Sequence, residues 1–443
     1  MDHCGARIFP EKMIPDSGHH PSRLFVEVTT RCNLRCSMCV KQNGERGFGD
    51  GHMSLPTFSA LEPAFPFLDA VVLNGIGEPL LHPQLDDFIR RAREFLPEKA
   101  WVGFQSNGVL LTNERAVSLV DAGLDRICLS MDSVSPDRFR KIREGGDVSD
   151  VRRAFAALAH AKEVCGRKDV SIGIEFVLMR NNLSELPGAV RWAARNGAGF
   201  AIITQLLPYE KAVADQAVYD TNTSGAISVY NRWKKKAEDE GLYMRSYTGT
   251  FMKYIKDPAS ERLFGLVERM KEEAASQNIA LHVERLLKRD EELYEEVARI
   301  FEEVKQIGRD EGLSLELPEI APKNNRRCDF VESGSAFVSW DGIIHPCYFL
   351  WHRYRCFVGG WEKHVKPWAF GNLSEGNIIE IWNHRDFRSF RDNVLRYNFP
   401  FCFDCGFALC DYVQTEDFEQ DCYVESVPCG SCLWCTGLFR CLQ

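Results

Sequence analysis

The 443-residue chain has no excess of basic residues, no long apolar run and no apolar stretch near its first residue. Lys and Arg number 54 against 63 Asp and Glu, a net charge of −9. An acidic chain does not attract a phosphate backbone, so nucleic acid is not an expected partner. No apolar run approaches the ~18 residues that span a bilayer. The first twenty residues, through His20, lack the apolar core of a signal peptide. The expectation is a cytoplasmic protein with no membrane partner. At 45% apolar and 26% charged, the composition is that of a globular chain and excludes long disorder. A prior of roughly 150 residues per domain gives two or three domains.

What the chain has in quantity is cysteine, 17 residues unevenly placed. Disulfides are disfavoured in a reducing compartment, so clustered thiols there bind metal or do redox work. Cys32, Cys36 and Cys39 form one tight group, and eleven more lie between Cys328 and Cys441. Cys128 sits mid-strand between apolar residues and reads as an inert core thiol. Cys4 and Cys165 carry no assignment.

Hydrophobic patterning divides the chain. Residues 24–30, Leu-Phe-Val-Glu-Val-Thr-Thr, read as a strand that ends on the cysteine triplet. Five more short apolar runs follow: 71–73, 101–105, 127–131, 170–179 and 200–205. Each ends in a polar or glycine-rich turn. Helical spacing fills 84–95, 113–123, 151–165 and 184–196. This repeated βα unit predicts an α/β fold, a partial (β/α)6 barrel over 23–210 behind a tail at 1–22. Ligands of such folds bind at the C-terminal strand ends, where every one of these turns falls. Residues 211–327 read as a helical insert and linker, with an apolar stripe from Leu293 to Ile307. Residues 328–443 read as a small cysteine-rich domain with too little core to stand without metal.

Cys32-Asn-Leu-Arg-Cys36-Ser-Met-Cys39 has C-x3-C-x2-C spacing. Three thiolates on one loop can ligate three irons of a cubane cluster and leave the fourth open. Structural zinc takes four ligands, commonly as paired knuckles, and no fourth Cys or His stands at such spacing here. An open iron is a place for a small molecule to coordinate.

This loop after a first strand resembles the hallmark of the radical S-adenosylmethionine (SAM) enzymes. The resemblance implies that Cys32, Cys36 and Cys39 hold a 4Fe–4S cluster whose open iron is chelated by SAM. Reductive cleavage of SAM then gives a 5′-deoxyadenosyl radical that abstracts hydrogen from a substrate. Gly75-Ile-Gly77-Glu78-Pro79 is similar to the family's glycine–glutamate motif, with Ile76 interposed, and implies contact with the SAM amino group. Ser106-Asn107-Gly108 matches a turn near SAM. Ser130 and Asp132 match positions that reach the ribose or methionine moiety, and Arg143 the arginine that pairs with the methionine carboxylate. Asn181 marks the fifth-strand end. Each of these also has a plainer reading: a βα turn, a helix cap or a solvated charge.

Farther on, Gly342-x4-Cys347 follows Cys328, then come Cys402, Cys405, Cys410 and Cys422, and then Cys429, Cys432, Cys435 and Cys441. With the aromatic segment from Phe370 to Arg391, this resembles the SPASM domain, which carries two auxiliary 4Fe–4S clusters. The spacing departs from the usual SPASM pattern beyond Cys405. The ligands expected are Cys328, Cys347, Cys402, Cys405, Cys422, Cys429, Cys432 and Cys441, with Cys410 and Cys435 in reserve and Cys356 weakest. Zinc knuckles are the alternative, but the thiols exceed what two zinc sites use.

The tail Cys429-Gly-Ser-Cys432-Leu-Trp-Cys435-Thr-Gly and the stretch Thr204 to Tyr209 resemble a narrower group, maturases acting with tungsten-containing aldehyde oxidoreductases and their pterin cofactor. The implied substrate is a protein, a peptide or a pterin cofactor, with a reductant such as ferredoxin or flavodoxin. Modification of a ribosomally made precursor peptide, or a sulfatase-maturase-like activity, is the second enzymatic reading. An iron–sulfur electron carrier is the non-enzymatic one; it leaves an open-iron triplet and Gly75–Pro79 without a purpose.

Overall fold

The computed structural model describes residues 18–42, 49–251, 257–402 and 420–443. Its centre is a nine-stranded sheet. In chain order the strands are β1 (Arg23–Val26), β2 (Ala70–Val72), β3 (Trp101–Ser106), β4 (Arg126–Ser130), β5 (Ser171–Leu178), β6 (Phe200–Gln205), β7 (Ser314–Glu316), β8 (Ser335–Val338) and β9 (Ile344–His345). Their spatial order is β9-β8-β1-β2-β3-β4-β5-β6-β7, with every pairing parallel except β8 with β9. The six strands from β1 to β6 are the expected βα series of the partial barrel. Helices Leu85–Phe95, Asn113–Asp121, Val148–Val164 and Leu186–Arg195 fill the crossovers. A right-handed crossover packs each helix on the same outer face. That face takes Val102, Phe104, Ile174 and Phe176, all buried.

Register fixes the opposite, inner face. Phe25 pairs with Val72, Val72 with Gly103, Ser130 with Glu175, and Val177 with Thr204. Side chains two residues apart share a face. Glu27, Asn74, Gln105, Cys128, Ser130, Glu175 and Val177 therefore turn inward.

The apolar stripe in the insert forms the helix Glu291–Glu311 and buries Leu293, Val297, Ile300, Phe301, Val304 and Ile307. The Asp290 side chain caps its start by accepting from the Leu293 N–H, and Gly312 ends it at φ 68°. This helix packs on Leu186–Arg195, and β7, just after it, pairs with β6. The helices Ser224–Asp239 and Pro258–Ser276 instead build a second small core with Trp233, Leu266 and Met270.

The C-terminal region contributes β8 and β9, which cover the free edge of β1. An open parallel edge exposes unpaired N–H and C=O groups, and this pairing satisfies them. Leu24 and Leu438 belong to one continuous core, so the two ends of the chain fold together. The aromatic segment forms helices Ile378–Asn383 and Arg385–Leu395, where the buried Arg391 guanidinium lies 3.7 Å over the Trp382 ring. No described helix is long and apolar enough to cross a membrane.

Candidate active site

The cysteine triplet leaves the C-terminal end of β1 on a loop that makes a two-residue strand, Arg35–Cys36. This pairs antiparallel with Arg143–Glu144, setting Cys36 opposite Arg143. The three thiols lie close enough to raise one another's pKa, and Arg143 Nη1 stands 3.8 Å from Cys36 Sγ. Burial pushes all three upward, Cys39 to about 12. Buried thiolates of this kind need a compensating cation, and three of them on one loop suit an iron cluster with one open iron.

The glycine–glutamate turn is stitched to this loop through the backbone. Glu78 N–H donates to Arg31 O at 2.7 Å. A Cβ on Gly77 would stand 2.3 Å from Thr29 O and 2.6 Å from Arg31 O, and one on Gly75 would stand 2.2 Å from Glu27 Cγ. Only glycine permits either approach. Pro79 opens a short 3-10 turn after Glu78. The Glu78 carboxylate is buried and accepts from Leu80 N at 3.2 Å, Ser106 Oγ at 2.8 Å and Asn107 N at 2.8 Å. Burial raises its pKa and these donors lower it. Glu78 thus ties the ends of β2 and β3 together, and Asn107 Nδ2 continues the tie to Asn33 Oδ1 inside the cysteine loop.

Ser130 ends β4. Beyond it, Asp132 is fully buried; it accepts from Arg143 Nε at 2.6 Å and from Val177 N at 2.7 Å. Burial alone would lower the Arg143 pKa, but the Asp132 carboxylate reverses the sign and holds it above its ordinary value. Asn182 Nδ2 donates to Asp132 O at 3.0 Å. Asn181 is exposed, and its backbone N–H meets Gln216. The turns expected at strand ends thus come together around the triplet, with Asp132 and Arg143 paired to each other.

In the C-terminal region, Cys328, Cys347, Cys429, Cys432 and Cys435 line one cavity with Phe330, Phe349 and Trp434. Burial raises Cys328 and Cys347, and each is raised further by neighbouring thiols. Among the described residues no three His, Cys, Asp or Glu side chains could hold a metal ion by themselves. A cubane spreads its thiolates around a larger core, and this thiol-walled, otherwise apolar cavity has the donor chemistry for one. Cys435, placed in reserve on spacing, is among the lining residues. Cys402 is buried against Gly430, whose carbonyl accepts its N–H at 2.8 Å. Cys422 is exposed and Cys356 is buried in the hairpin of Tyr354–Val358 and Trp361–Val365. Cys441 lies among the carboxylates of Glu175, Glu316 and Asp329. Cys4, Cys405 and Cys410 fall outside the described residues. The described cysteines form no disulfide.

Sequence reading missed several polar groups. Glu27, fully buried, accepts from Ile76 N at 3.1 Å and pairs with His352 Nε2 at 3.0 Å, joining the glycine turn to the C-terminal region. Asn33, Gln105, Glu175 and Asn182 were also missed. The available signal was a carboxylate inside an otherwise apolar strand, as in Phe-Val-Glu-Val and Gly-Ile-Glu-Phe. The stretch from Thr204 meets the residues just after the tail motif: Gln205 N donates to Leu438 O at 3.3 Å and Arg440 N to Thr204 Oγ1 at 3.2 Å.

The profile of the Radical SAM superfamily matches residues 26–192, and that of the SPASM iron–sulfur cluster-binding domain matches 328–406. The tungsten-containing aldehyde ferredoxin oxidoreductase cofactor-modifying protein of Pyrococcus furiosus is 29% identical over 94% of this chain and 96% of its own length. A probable GTP 3′,8-cyclase of Methanocaldococcus jannaschii is 26% identical over 54% of this chain and 74% of its own. Among solved structures, Streptococcus suis SuiB bound to S-adenosylmethionine covers 93% of this chain and 76% of its own, with 12% identity and a TM-score of 0.49.

Proposed function

From the premise that the chain belongs to the radical SAM superfamily and carries a SPASM iron–sulfur domain, we propose that it cleaves SAM reductively and modifies the pterin cofactor of a tungsten-containing oxidoreductase. The observation that carries the substrate half is the end-to-end likeness to a cofactor-modifying protein, which spans both regions of the chain. Reductive cleavage needs a one-electron donor, and a ferredoxin or flavodoxin of the cytosol is the donor that fits this chemistry.

Cys32, Cys36 and Cys39 are the ligands of the cluster, which supplies the electron that breaks the SAM sulfonium bond. The chain's own residues do the positioning. Gly75 and Gly77 let the turn lie against the cysteine loop, and Glu78 and Asn107 set the β2 and β3 ends where the SAM ammonium group binds. Asp132 holds Arg143 beside Cys36, and this guanidinium would pair with the SAM methionine carboxylate. Ser130 lies on the same rim. The cavity thiols Cys328, Cys347, Cys429 and Cys432, with Cys435, hold auxiliary iron–sulfur chemistry.

The test is anaerobic reconstitution with iron and sulfide. Reduced protein should release 5′-deoxyadenosine from SAM, and adding a tungstopterin-loaded oxidoreductase should raise that yield. An absence of 5′-deoxyadenosine overturns the SAM half. Release that ignores the oxidoreductase overturns the substrate half.

A further inference from the structure

The inner face of the barrel carries a hydrogen-bond arrangement that the SAM pocket leaves unused. Gln105 on β3 and Glu175 on β5 are half-buried, while Phe104 and Phe176 beside them are buried in the outer core. Glu175 is in register with Ser130 on the SAM rim. It is also two residues from Val177, whose N–H holds Asp132. The pair therefore lies immediately below the proposed SAM site, where a substrate hydrogen would have to come.

The orientation of both amides follows from one backbone group. Gln105 N–H donates to Asn74 Oδ1 at 2.8 Å, so the other arm of Asn74 is the donor Nδ2. Asn74 Nδ2 donates to Gln105 Oε1, which leaves Gln105 Nε2 facing Glu175, and Nε2 donates to Glu175 Oε2. One N–H of Gln105 Nε2 remains, and Glu175 Oε1 accepts from no described side chain or backbone group. A donor and an acceptor thus belong to two hydrogen-bonded side chains that are both only half-buried.

Such a pair matches a C=O and an N–H presented on one edge. A trans peptide bond places these groups on opposite edges and does not fit. A ring lactam places them together, as the 4-oxo and N3–H groups of a pterin do; guanine has the same edge. We infer that Gln105 and Glu175 read the lactam edge of the substrate ring, Gln105 Nε2–H donating to the ring carbonyl and Glu175 Oε1 accepting from the ring N–H. This rests on the proposed pterin substrate and specifies how the barrel would recognise it. It adds no bond-making step: both residues orient the ring beneath the SAM site.

The test uses full-length, anaerobically reconstituted protein loaded with SAM. 6-Hydroxymethylpterin is titrated in and followed by quenching of its own fluorescence, with guanosine as a competitor in a second arm. Glu175→Gln keeps the shape but loses the charge; it should weaken pterin binding about tenfold, because a hydrogen bond to a charged acceptor is roughly twice as strong as a neutral one. Gln105→Met removes the donor and should weaken it comparably. Competition by guanosine supports the shared lactam edge, and binding of pterin alone narrows it to the pteridine. SAM affinity, measured on the same samples by equilibrium dialysis, should stay within about twofold. Near-ultraviolet circular dichroism establishes folding of both variants. Wild-type protein that releases 5′-deoxyadenosine yet binds neither ring overturns the inference and leaves SAM cleavage standing. Unchanged pterin affinity in both folded variants also overturns it. A joint loss of SAM and pterin affinity overturns it too, by placing Glu175 in the SAM pocket.

Discussion

The barrel half and the cysteine-rich half solve the same problem, holding thiols in place, by different physics. In the barrel, parallel ladders and packed helices put the triplet loop at a strand end, and backbone hydrogen bonds from Glu78 and Arg143 hold it there. In the C-terminal half, short elements leave a cavity whose walls are thiols and aromatic rings. The fold alone holds the first site's thiols, whereas the proposed cluster of the second site would supply part of that region's structure. The halves also share a core and the Glu27–His352 pair, so neither is an independent lobe.

The comparison breaks most sharply at the triplet. Changing Cys32, Cys36 and Cys39 together to Ala should remove about four irons per chain and reduce 5′-deoxyadenosine to background. The barrel melt should barely move. Iron and product analysis on the same sample checks this.

Next in size is Cys347→Ala. It should remove about four irons and abolish substrate modification, while 5′-deoxyadenosine is still formed from SAM. The melting temperature should drop, unlike that of the triplet variant. If both variants melt alike, the contrast between a fold-built and a metal-built site is wrong.

Arg143→Met tests the buried pair. It leaves the Asp132 carboxylate buried and uncompensated, which should cost about 3–5 kcal/mol in denaturant unfolding. The double variant Asp132→Leu, Arg143→Met should recover most of that loss. Glu78→Gln is milder for the fold. It should weaken SAM binding about ten- to a hundredfold, the worth of one charge-assisted hydrogen bond, with no cluster lost.

The smallest effect is a pH slope. Burial pushes the Glu175 carboxyl from its ordinary 4.5 to about 7. The folded state therefore binds that proton more tightly than the unfolded chain. Its contribution to stability is full below about pH 4.5 and is lost as pH rises through 7. Melting temperatures of wild type and Glu175→Gln between pH 5 and 8 should diverge in that direction, the wild type losing ground as pH rises.

Much of the barrel was legible because its signals are local. The alternation of apolar runs and helical stripes gives the six strands, and C-x3-C-x2-C with Gly75–Pro79 gives the chemistry, since ligand spacing within one loop is a property of the chain itself. The stripe from Leu293 to Ile307 was read as a helix for the same reason. Less legible was its companion β7, three residues long, whose pairing with β6 depends on a partner more than 100 residues away. The same holds for β8 against the edge of β1.

The sequence by itself determined the fold class, the grouping of Cys32, Cys36 and Cys39 on one loop and the strand-end turns, because each depends on neighbours along the chain. Only the tertiary structure decided that Asp132 pairs with Arg143, that Glu78 spans two strand ends, and that Cys435 lines the thiol cavity while Cys441 lies near Glu175. The Asn74, Gln105 and Glu175 chain is of the same kind. Hydrogen-bond partners and burial are set by which distant segments pack together, and a carboxylate in an apolar strand shows that a partner is needed without showing which.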